Sequence, residues 1–251
     1  MNNKYEILEN DYIIKNGIKF NRIRALKNFG DVRAGDLGGY IQREYNLSQE
    51  GNSWIYDKSI VYQHAKVSDN AKIKGECFVS SNARIKDNAI IMGNCLISGD
   101  TRIGENARIF DNVDIHGKAS VLGNAKIYDS TKICGQALIC DSAIITGNSL
   151  IYGITRISGN TIIENMKIHT GYIDYSIKDN DINNLIVLFT HDNTITAVKT
   201  TNDVIFLNIN SYIIDLDTFK KQISDDTLIP KLKHKSNLLS KDINYIESLL
   251  R

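Results

Sequence analysis

The chain carries isoleucine or valine at every sixth position from Ile55 to Ile163, which makes 19 consecutive β-branched positions. Two positions before each of them stands a small side chain, and the largest residue in that register is Val113. A strict short period is typical of solenoid proteins, in which each repeat buries its apolar side chains only by stacking on its neighbours. The period matches neither the helical turn nor the heptad, so the pattern excludes a helical arrangement for nearly half of the chain.

Within each hexapeptide the residues around the aliphatic position favour a short strand, because β-branched side chains prefer strands and alternate side chains point to opposite sides. The Gly-Asn and Asp-Asn pairs that follow favour a corner, since these residue types tolerate a left-handed backbone. One corner repeats every eighteen residues as asparagine from Asn52 onward, and only Ser142 departs from that rule. The sequence therefore predicts three hexapeptides per coil in a triangular prism of about six coils, with hydrogen-bonded asparagine ladders along one corner.

The expected fold class is mainly β, and we divide the chain into three parts. Residues 1–50 form an N-terminal β cap, residues 51–171 form a hexapeptide-repeat parallel β-helix, and residues 172–251 form a small α+β domain. We name the sides of the prism the first, second and third faces, which begin with Ile55, Val61 and Val67 respectively.

The N-terminal segment breaks the hexapeptide period and reads as a cap. Asn16-Gly17 lies between two alternating apolar runs, which is a strong signal for a β-hairpin. The glycines at Gly35, Gly38 and Gly39 match neither phosphate-binding fingerprint, so a turn leading into the first coil is favoured over a phosphate loop. A cap is also required physically, because the end of a solenoid exposes unpaired backbone and apolar core.

The C-terminal segment, residues 172–251, lacks the hexapeptide period and has the pattern of a small α+β domain. Residues 185–190, 194–199 and 204–207 are predicted to be strands. Asp217 is predicted to cap a helix that carries Phe219 and Ile223, and Ser240 is predicted to cap a last helix.

Composition narrows the function classes. The net charge of +1 argues against a protein that coats nucleic acid, and no apolar stretch is long enough to span a membrane. No signal peptide is recognisable, so we expect a cytoplasmic protein. Cys77 and Cys95 stand 18 residues apart in the inward small-residue register and are expected to stack as reduced core thiols. There is no C-x-x-C motif, and we expect no metal site.

The segments FGDVRAGDLGGYI (29–41) and NLSQEGNSWIYD (46–57), running into the hexapeptides, resemble the YdcK-like proteins of bacteria and phages. The resemblance covers roughly residues 20–165. It implies the left-handed β-helix of hexapeptide-repeat proteins. It also implies a label of acetyltransferase, which rests on the β-helix itself, and no catalytic residues can be transferred from the group.

The resemblance to enzymes of the left-handed β-helix class implies a histidine and a coil-interrupting loop that bind acetyl-coenzyme A between subunits of a trimer. Here the hexapeptides run without an insertion, and we expect no acidic residue to orient any histidine within one coil. His116, which projects outward after Ile115, is the alternative catalytic base.

An outward apolar stripe on the second face predicts an oligomer interface, because a monomer rarely exposes such a stripe. The resemblance implies that the oligomer is a homotrimer. The alternative is that a terminal segment of the same chain folds over the stripe. The predicted interface residues are Ile60, Tyr62, Phe78, Leu96, Leu150 and Tyr152.

Cations recur on the other two faces and predict a site for an anionic small molecule such as a nucleotide, since guanidinium groups bind phosphate and rings stack on bases. The alternative is that Asp69, Asp87 and Glu105, which stack at the next corner, neutralise the third-face cations. The predicted ligand-binding residues are Lys66, Arg84, Lys86 and Arg102 on the third face, with Arg108, Phe110, Lys126 and Tyr128 on the first.

Three functions are therefore open at the level of sequence. The first is a non-catalytic oligomeric scaffold that binds a partner or an anionic ligand between subunits, for instance a phage protein that sequesters a host nucleotide signal. The second is an acyltransferase that uses His116 and acetyl-coenzyme A. The third is a rigid spacer that presents its C-terminal domain.

Overall fold

A computed structural model describes residues 3–164, 167–175, 182–189, 194–200, 205–209 and 212–225. The architecture is mainly β, as the period predicts, and its centre is a parallel β-solenoid. In chain order the elements are β1 (Tyr5–Lys15), β2 (Ile18–Ala25), β3 (Leu37–Ile41), a 3₁₀ turn (Glu44–Asn46), β4 (Trp54–Ile55), β5 (Ile60–Val61), β6 (Lys66–Val67), β7 (Lys72–Gly75), β8 (Phe78–Val79), β9 (Arg84–Ile85), β10 (Ile90–Gly93), β11 (Leu96–Ile97), β12 (Arg102–Ile103), β13 (Arg108–Asp111), β14 (Asp114–Ile115), β15 (Ser120–Val121), β16 (Lys126–Ile127), β17 (Lys132–Ile133), β18 (Leu138–Ile139), β19 (Ile144–Thr146), β20 (Leu150–Gly159), β21 (Ile162–Glu164), β22 (Lys167–Tyr175), β23 (Ile182–Phe189), β24 (Thr194–Thr200), β25 (Ile205–Ile209), β26 (Tyr212–Asp215) and α1 (Leu216–Ser224).

Each strand of the solenoid pairs in parallel with the strand one coil further along the chain. On the first face, for example, Ile91 lies opposite Ile109, which is 18 residues later. Three faces per coil are thereby confirmed: β4, β7, β10, β13, β16, β19 and β21 form the first face, and β20 bends round a corner to join the second and third faces. Six coils end with β20, and β21 and β22 form a seventh. Strand β21 keeps the spacing of 18 residues from its partner β19, whereas β22 pairs with residues of β20 that are 17 and then 16 positions earlier.

The core is the pair of inward columns that the period predicts. The Ile and Val column from Ile55 to Ile163 is at most 1% exposed, and the small residues beside it are also buried. Cys77 and Cys95 lie in that small-residue column as free thiols, which confirms their predicted place. These small residues are at most 3% exposed, and a larger side chain would overpack so closely filled an interior.

The corners are held by two kinds of side-chain ladder. The asparagine ladder is confirmed: the Nδ2 of Asn70 donates to the Oδ1 of Asn88 at 3.0 Å, and Asn88 donates to Asn106 at 3.2 Å. Beside it, residues with a left-handed backbone use their side chains as acceptors. Asp87, with φ of 56°, accepts the backbone N–H of Glu105 at 2.9 Å. Glu105 in turn accepts the backbone N–H of Gly123 at 2.7 Å.

The polarity of the backbone hydrogen bonds makes the two ends of the solenoid different. At the strand ends and corners, each coil donates N–H groups to carbonyls of the following coil, as Ile60 does to Cys77 at 2.8 Å, whereas the parallel strand ladders are bonded in both directions. Carbonyls of the first coil therefore need donors from outside the repeat. The N-terminal cap supplies them: Tyr40 N–H donates to the Ser59 carbonyl at 2.9 Å, and the buried Asn46 side chain donates to the Ala65 carbonyl at 2.8 Å.

The predicted hairpin is confirmed. Asn16 and Gly17 both have positive φ, 49° and 75°, and join β1 to β2. Strand β2 pairs antiparallel with β3, and β3 pairs in parallel with β5, so one sheet continues from the hairpin into the second face. The turn predicted over the glycines forms at Gly35, which has φ of 94°, but Gly38 and Gly39 lie in strand β3, where they are sites of close packing. A Cβ on Gly38 would lie 2.6 Å from the Ile23 side chain.

The C-terminal region contains the four-stranded antiparallel sheet β23–β26 and then α1. The cap of α1 was assigned to the wrong aspartate: Asp215, not Asp217, accepts the Thr218 N–H at 2.8 Å. The reason is that β26 runs directly into the helix, so the residue before Leu216 becomes the cap. The helix predicted at Ser240 lies outside the described residues. No helix in the ranges given above is long and apolar enough to cross a membrane.

Lys4 provides a test of the cap. Its Nζ is buried and donates to the Ser53 carbonyl at 2.9 Å, and burial, with Lys27 nearby and Glu50 opposing, lowers its pKa from 10.5 to about 8. Between these pH values the unfolded chain binds the proton and the folded chain releases it, so folding becomes more favourable as pH rises. Relative to Lys4→Met, the wild-type unfolding free energy should rise by about 3 kcal/mol over this window. Urea denaturation of both proteins across pH 7.5–10.5 measures it; parallel curves would refute a buried ammonium.

Candidate binding surfaces

The third face carries an open column of cations. Lys66, Arg84 and Arg102 lie opposite one another on adjacent strands, and all three are exposed. Parallel strands place neighbouring members of the column about 4.8 Å apart at their Cα atoms. Lys66 lies over the ring of Tyr45, with 5.5 Å from Nζ to the centroid. Among the residues that the structure describes, Arg84 and Arg102 form no ion pair.

The acidic residues of the adjoining corner do not pair with these arginines. Asp69 accepts the backbone N–H of Asp87, and Asp87 and Glu105 accept backbone N–H groups of the following coil. The Glu105 amide and then Lys86, which pairs with Asp87 at 3.1 Å, lower the pKa of Asp87. The corner carboxylates therefore neutralise Lys86, as predicted, but not the arginines. Arg84 and Arg102 have no ion-pair partner in the described part of the chain.

The first face carries a strip of aromatic rings beside cations. Phe110 and Tyr128 are stacked, with centroids 5.5 Å apart and planes inclined by 11°. Arg108 and Lys126 lie opposite each other on the same two strands and form no ion pair with any described residue. The four predicted residues of this face are therefore brought together as one strip.

Nearer the N terminus, the cap loop neutralises the same face. Asp31 accepts a hydrogen bond from the Tyr56 hydroxyl at 2.7 Å and pairs with Lys72 at 2.7 Å. Although burial opposes ionisation, the hydrogen bonds from Lys72 and Tyr56 lower the pKa of Asp31 to about 2. The unpaired cations of the first face thus begin beyond the reach of the cap.

The two cationic groups do not form one pocket within the chain. A corner with the asparagine ladder separates Arg102 on β12 from Arg108 on β13. A single ligand could bridge them only by crossing that edge or by lying between two chains.

The second face differs from the predicted interface at its N-terminal end. Ile60 is fully buried within the chain, in a cluster with Phe20 and Tyr40, so the hairpin rather than a second subunit covers it. Tyr62 packs edge-on against Phe20, with centroids 5.4 Å apart, and Phe78 is half-buried beneath Lys15. The alternative of a terminal segment folded over the stripe is therefore correct for this end.

The rest of the stripe is more open. Leu96 is 50% exposed, and Leu150 and Tyr152 are half-buried. These three residues are the part of the predicted interface that the hairpin does not explain.

His116 has an acidic partner that the sequence interpretation missed. Its Nδ1 lies 3.2 Å from the Oδ1 of Asp114, and both side chains are partly exposed. The expectation that no acid orients a histidine within one coil was therefore wrong. Residues two apart on a strand project from the same side, so alternation alone would have revealed the pair. Cys134 follows His116 in the same column, and burial and then Asp114 raise the pKa of its thiol.

A concave site that the periodic pattern did not reveal lies between the hairpin and the second face. It is a cleft of about 530 Å³ lined by Ile13, Lys15, Arg22, Tyr40, Asp57, Lys58, Glu76 and Phe78. The Asn16-Gly17 signal predicts the hairpin but not its placement, because placement depends on long-range pairing. Within the described part of the chain, no group of three or more His, Cys, Asp or Glu side chains is arranged to hold a metal ion.

The two ends of the apolar stripe should respond differently to truncation. Ile60→Ala should lower the unfolding free energy by about 2–5 kcal/mol, because its cavity lies inside the chain. Leu96→Ala should change it by less than about 1 kcal/mol at concentrations where the protein is monomeric. Guanidinium denaturation, with size-exclusion chromatography and light scattering for mass, measures both. Equal destabilisation by the two variants would contradict the intramolecular cover.

Comparison with known proteins gives a partial similarity. No protein-family model matches the chain. A protein of Escherichia coli strain K12, described as the uncharacterized acetyltransferase YdcK, is 45% identical over 62 residues. The match covers 24% of this chain and 19% of the relative, so the chain spans about a fifth of the length of the curated relative it matches. The resemblance expected from the sequence is thus confirmed: over about a quarter of its length, this chain of stacked hexapeptide coils is similar to YdcK.

Proposed function

We propose that the protein is a non-catalytic solenoid scaffold that binds an anionic ligand, and that the third-face arginines make the first contact. The observation that carries the proposal is the pair Arg84 and Arg102, directly opposed on β9 and β12 and exposed without an ion-pair partner in the described residues. If this surface bound no ligand, a carboxylate placed between the two arginines would stabilise the fold by offsetting their repulsion.

The electrostatics favour a phosphate-bearing ligand. Two unit charges about 5 Å apart, the spacing of neighbouring strands, repel each other by about 1 kcal/mol in water. An anion that bridges them removes that repulsion. Guanidinium groups also bind phosphate oxygens in a bidentate manner that lysine cannot match. The ligand class is therefore a di- or triphosphate, such as a nucleotide.

The first-face strip supports the nucleotide within that class. Phe110 and Tyr128 offer stacked rings beside Arg108 and Lys126, and bases stack readily on such rings. Since one chain separates this strip from the arginine column by a corner, we propose that the two meet in grooves between subunits of a homotrimer. Leu96, Leu150 and Tyr152 are the candidate subunit contacts.

Titration with ATP and with inorganic triphosphate, followed by isothermal calorimetry, tests the proposal. Arg84→Glu with Arg102→Glu should weaken ATP binding at least about tenfold, because two charge-assisted contacts are lost. Arg33→Glu with Lys118→Glu is the matched control. It makes the same change in net charge at two exposed cations that form no ion pair with the described residues and lie outside the proposed subunit contacts.

Native mass spectrometry of the purified protein gives the oligomeric state and the mass of any retained ligand. A trimer that binds ATP more tightly than triphosphate would support roles for both the third-face arginines and the first-face aromatic strip. If the two charge-reversal pairs weaken ATP binding equally, the loss reflects net charge and not a site at the arginines. Absence of binding in all proteins would leave the chain as a structural spacer.

An acyltransferase is the second candidate, and the His116–Asp114 pair favours it. A carboxylate 3.2 Å from Nδ1 can orient the ring so that Nε2 accepts a proton from an acyl acceptor. The partial similarity to a protein described as an acetyltransferase points the same way. Against it, the described coils from Ser53 to Ile163 contain no inserted loop, and the raised pKa of the Cys134 thiol disfavours a thiolate nucleophile.

Release of coenzyme A from acetyl-coenzyme A, measured by chromatography with candidate amine acceptors, tests this second function. His116→Ala should reduce turnover by about 10²–10⁴-fold if His116 is the base. His64→Ala removes an exposed histidine from a corner and serves as the control. Turnover that survives His116→Ala would exclude the assignment.

A further inference from the structure

We infer that the cleft between the N-terminal hairpin and the second face binds a small organic anion with a planar apolar body. This site is separate from the third-face column, and it does not depend on the proposed function. Its residues come from three parts of the fold: β1 and β2 of the hairpin, β3, and the corner and strand around β8.

The cleft has the size and the apolar floor of a small-molecule site. Its volume of about 530 Å³ falls within the range of roughly 300–1,000 Å³ typical of such sites. Ile13, Tyr40 and Phe78 supply apolar surface, and they pack on the same buried cluster as Ile60. Unlike the third face, this surface is a cleft, so it can bury more of a small ligand than a single face of the solenoid can.

Two cations of the cleft lie over aromatic rings and lack carboxylate partners. Lys15 Nζ lies 4.5 Å from the centroid of the Phe78 ring, and the Arg22 guanidinium lies 5.3 Å from that of Tyr40. Arg22 is oriented by its Nε, which donates to the Gly38 carbonyl at 3.1 Å. Neither cation forms an ion pair in the ranges that the structure describes.

The carboxylates of the cleft, by contrast, are already engaged. Glu76 pairs with Lys58 at 3.0 Å. Asp57 accepts the backbone N–H of Gly75 at 2.8 Å as part of the corner ladder. The side chains left to meet a ligand are therefore cationic, and a carboxylate, sulfonate or phosphate monoester would satisfy them.

The cleft is held in shape by backbone pairing. Strand β2 is hydrogen-bonded to β3, and β3 continues the parallel second face through its pairing with β5. The hairpin is thus an extension of the solenoid sheet. A ligand meets a preformed site, which lowers the entropic cost of binding.

The probe for this site is 8-anilinonaphthalene-1-sulfonate, which combines a sulfonate with planar rings and fluoresces when it leaves water. Wild-type protein should bind one molecule per chain at this cleft. Lys15→Glu should weaken binding about tenfold or more, and Lys15→Gln should weaken it less, because it removes the charge without reversing it.

Lys19→Glu is the matched control on the same hairpin. Lys19 is exposed, lies over Tyr12 at 4.3 Å and does not line the cleft, so its reversal should change binding less than about twofold. The Arg84→Glu, Arg102→Glu protein should also bind the dye normally, which separates this site from the third face. Thermal melts of each variant confirm that the hairpin stays folded.

Displacement of the dye defines the ligand class. Benzoate and phenyl phosphate should displace it, whereas inorganic phosphate at the same concentration should not, because it lacks the planar body. Equal binding by Lys15→Glu and Lys19→Glu would overturn the inference, since the dye would then occupy another apolar surface. Displacement by inorganic phosphate alone would overturn the proposed ligand class.

Discussion

At the strand ends and corners of the solenoid, each coil donates backbone N–H groups to the following coil, and this predominant direction determines what the first coil requires. Carbonyl groups of the first coil therefore lack donors within the repeat. The cap provides these donors: the Lys4 ammonium, the Asn46 amide and the N–H of Tyr40. A buried lysine and a buried asparagine are costly in a core, but here each hydrogen-bonds to the carbonyls that the repeat cannot satisfy. The aperiodic start of the chain is thus a consequence of the periodic part.

The same hydrogen bonding connects the fold to the candidate sites. At the corners, left-handed residues such as Asp87 and Glu105 hold the N–H of the next coil with their carboxylates. Those carboxylates are engaged in holding the stack, so the cations of the faces beside them keep few partners. A chain with a net charge of +1 can therefore present unpaired arginines on one face without a general excess of positive charge.

The features that repeat were predictable, and those that depend on long-range placement were not. The period alone predicts the inward columns, the three faces, the asparagine ladder and the stacked Cys77 and Cys95, because each follows from local spacing. Ile60 was assigned to a subunit interface, with cover by a terminal segment only as the alternative, because no period states where a hairpin lies. The 530 Å³ cleft beside the hairpin was missed for the same reason. The pair of His116 with Asp114 was missed for another reason. It was predictable, because residues two apart on a strand project from the same side.

The superposition of a six-residue period on an eighteen-residue period limits how such a chain can change in length. Removing eighteen residues would shorten the prism by one coil and leave every outer column on its own face. Removing six would preserve the buried columns, yet it would rotate all later outer residues by one face. The asparagine column would then align with the column of His64, Asn82, Asp100 and Lys118. Evolution can therefore vary the core freely in hexapeptide steps, while surfaces built from stacked columns, such as the arginines of the third face, survive only changes of whole coils.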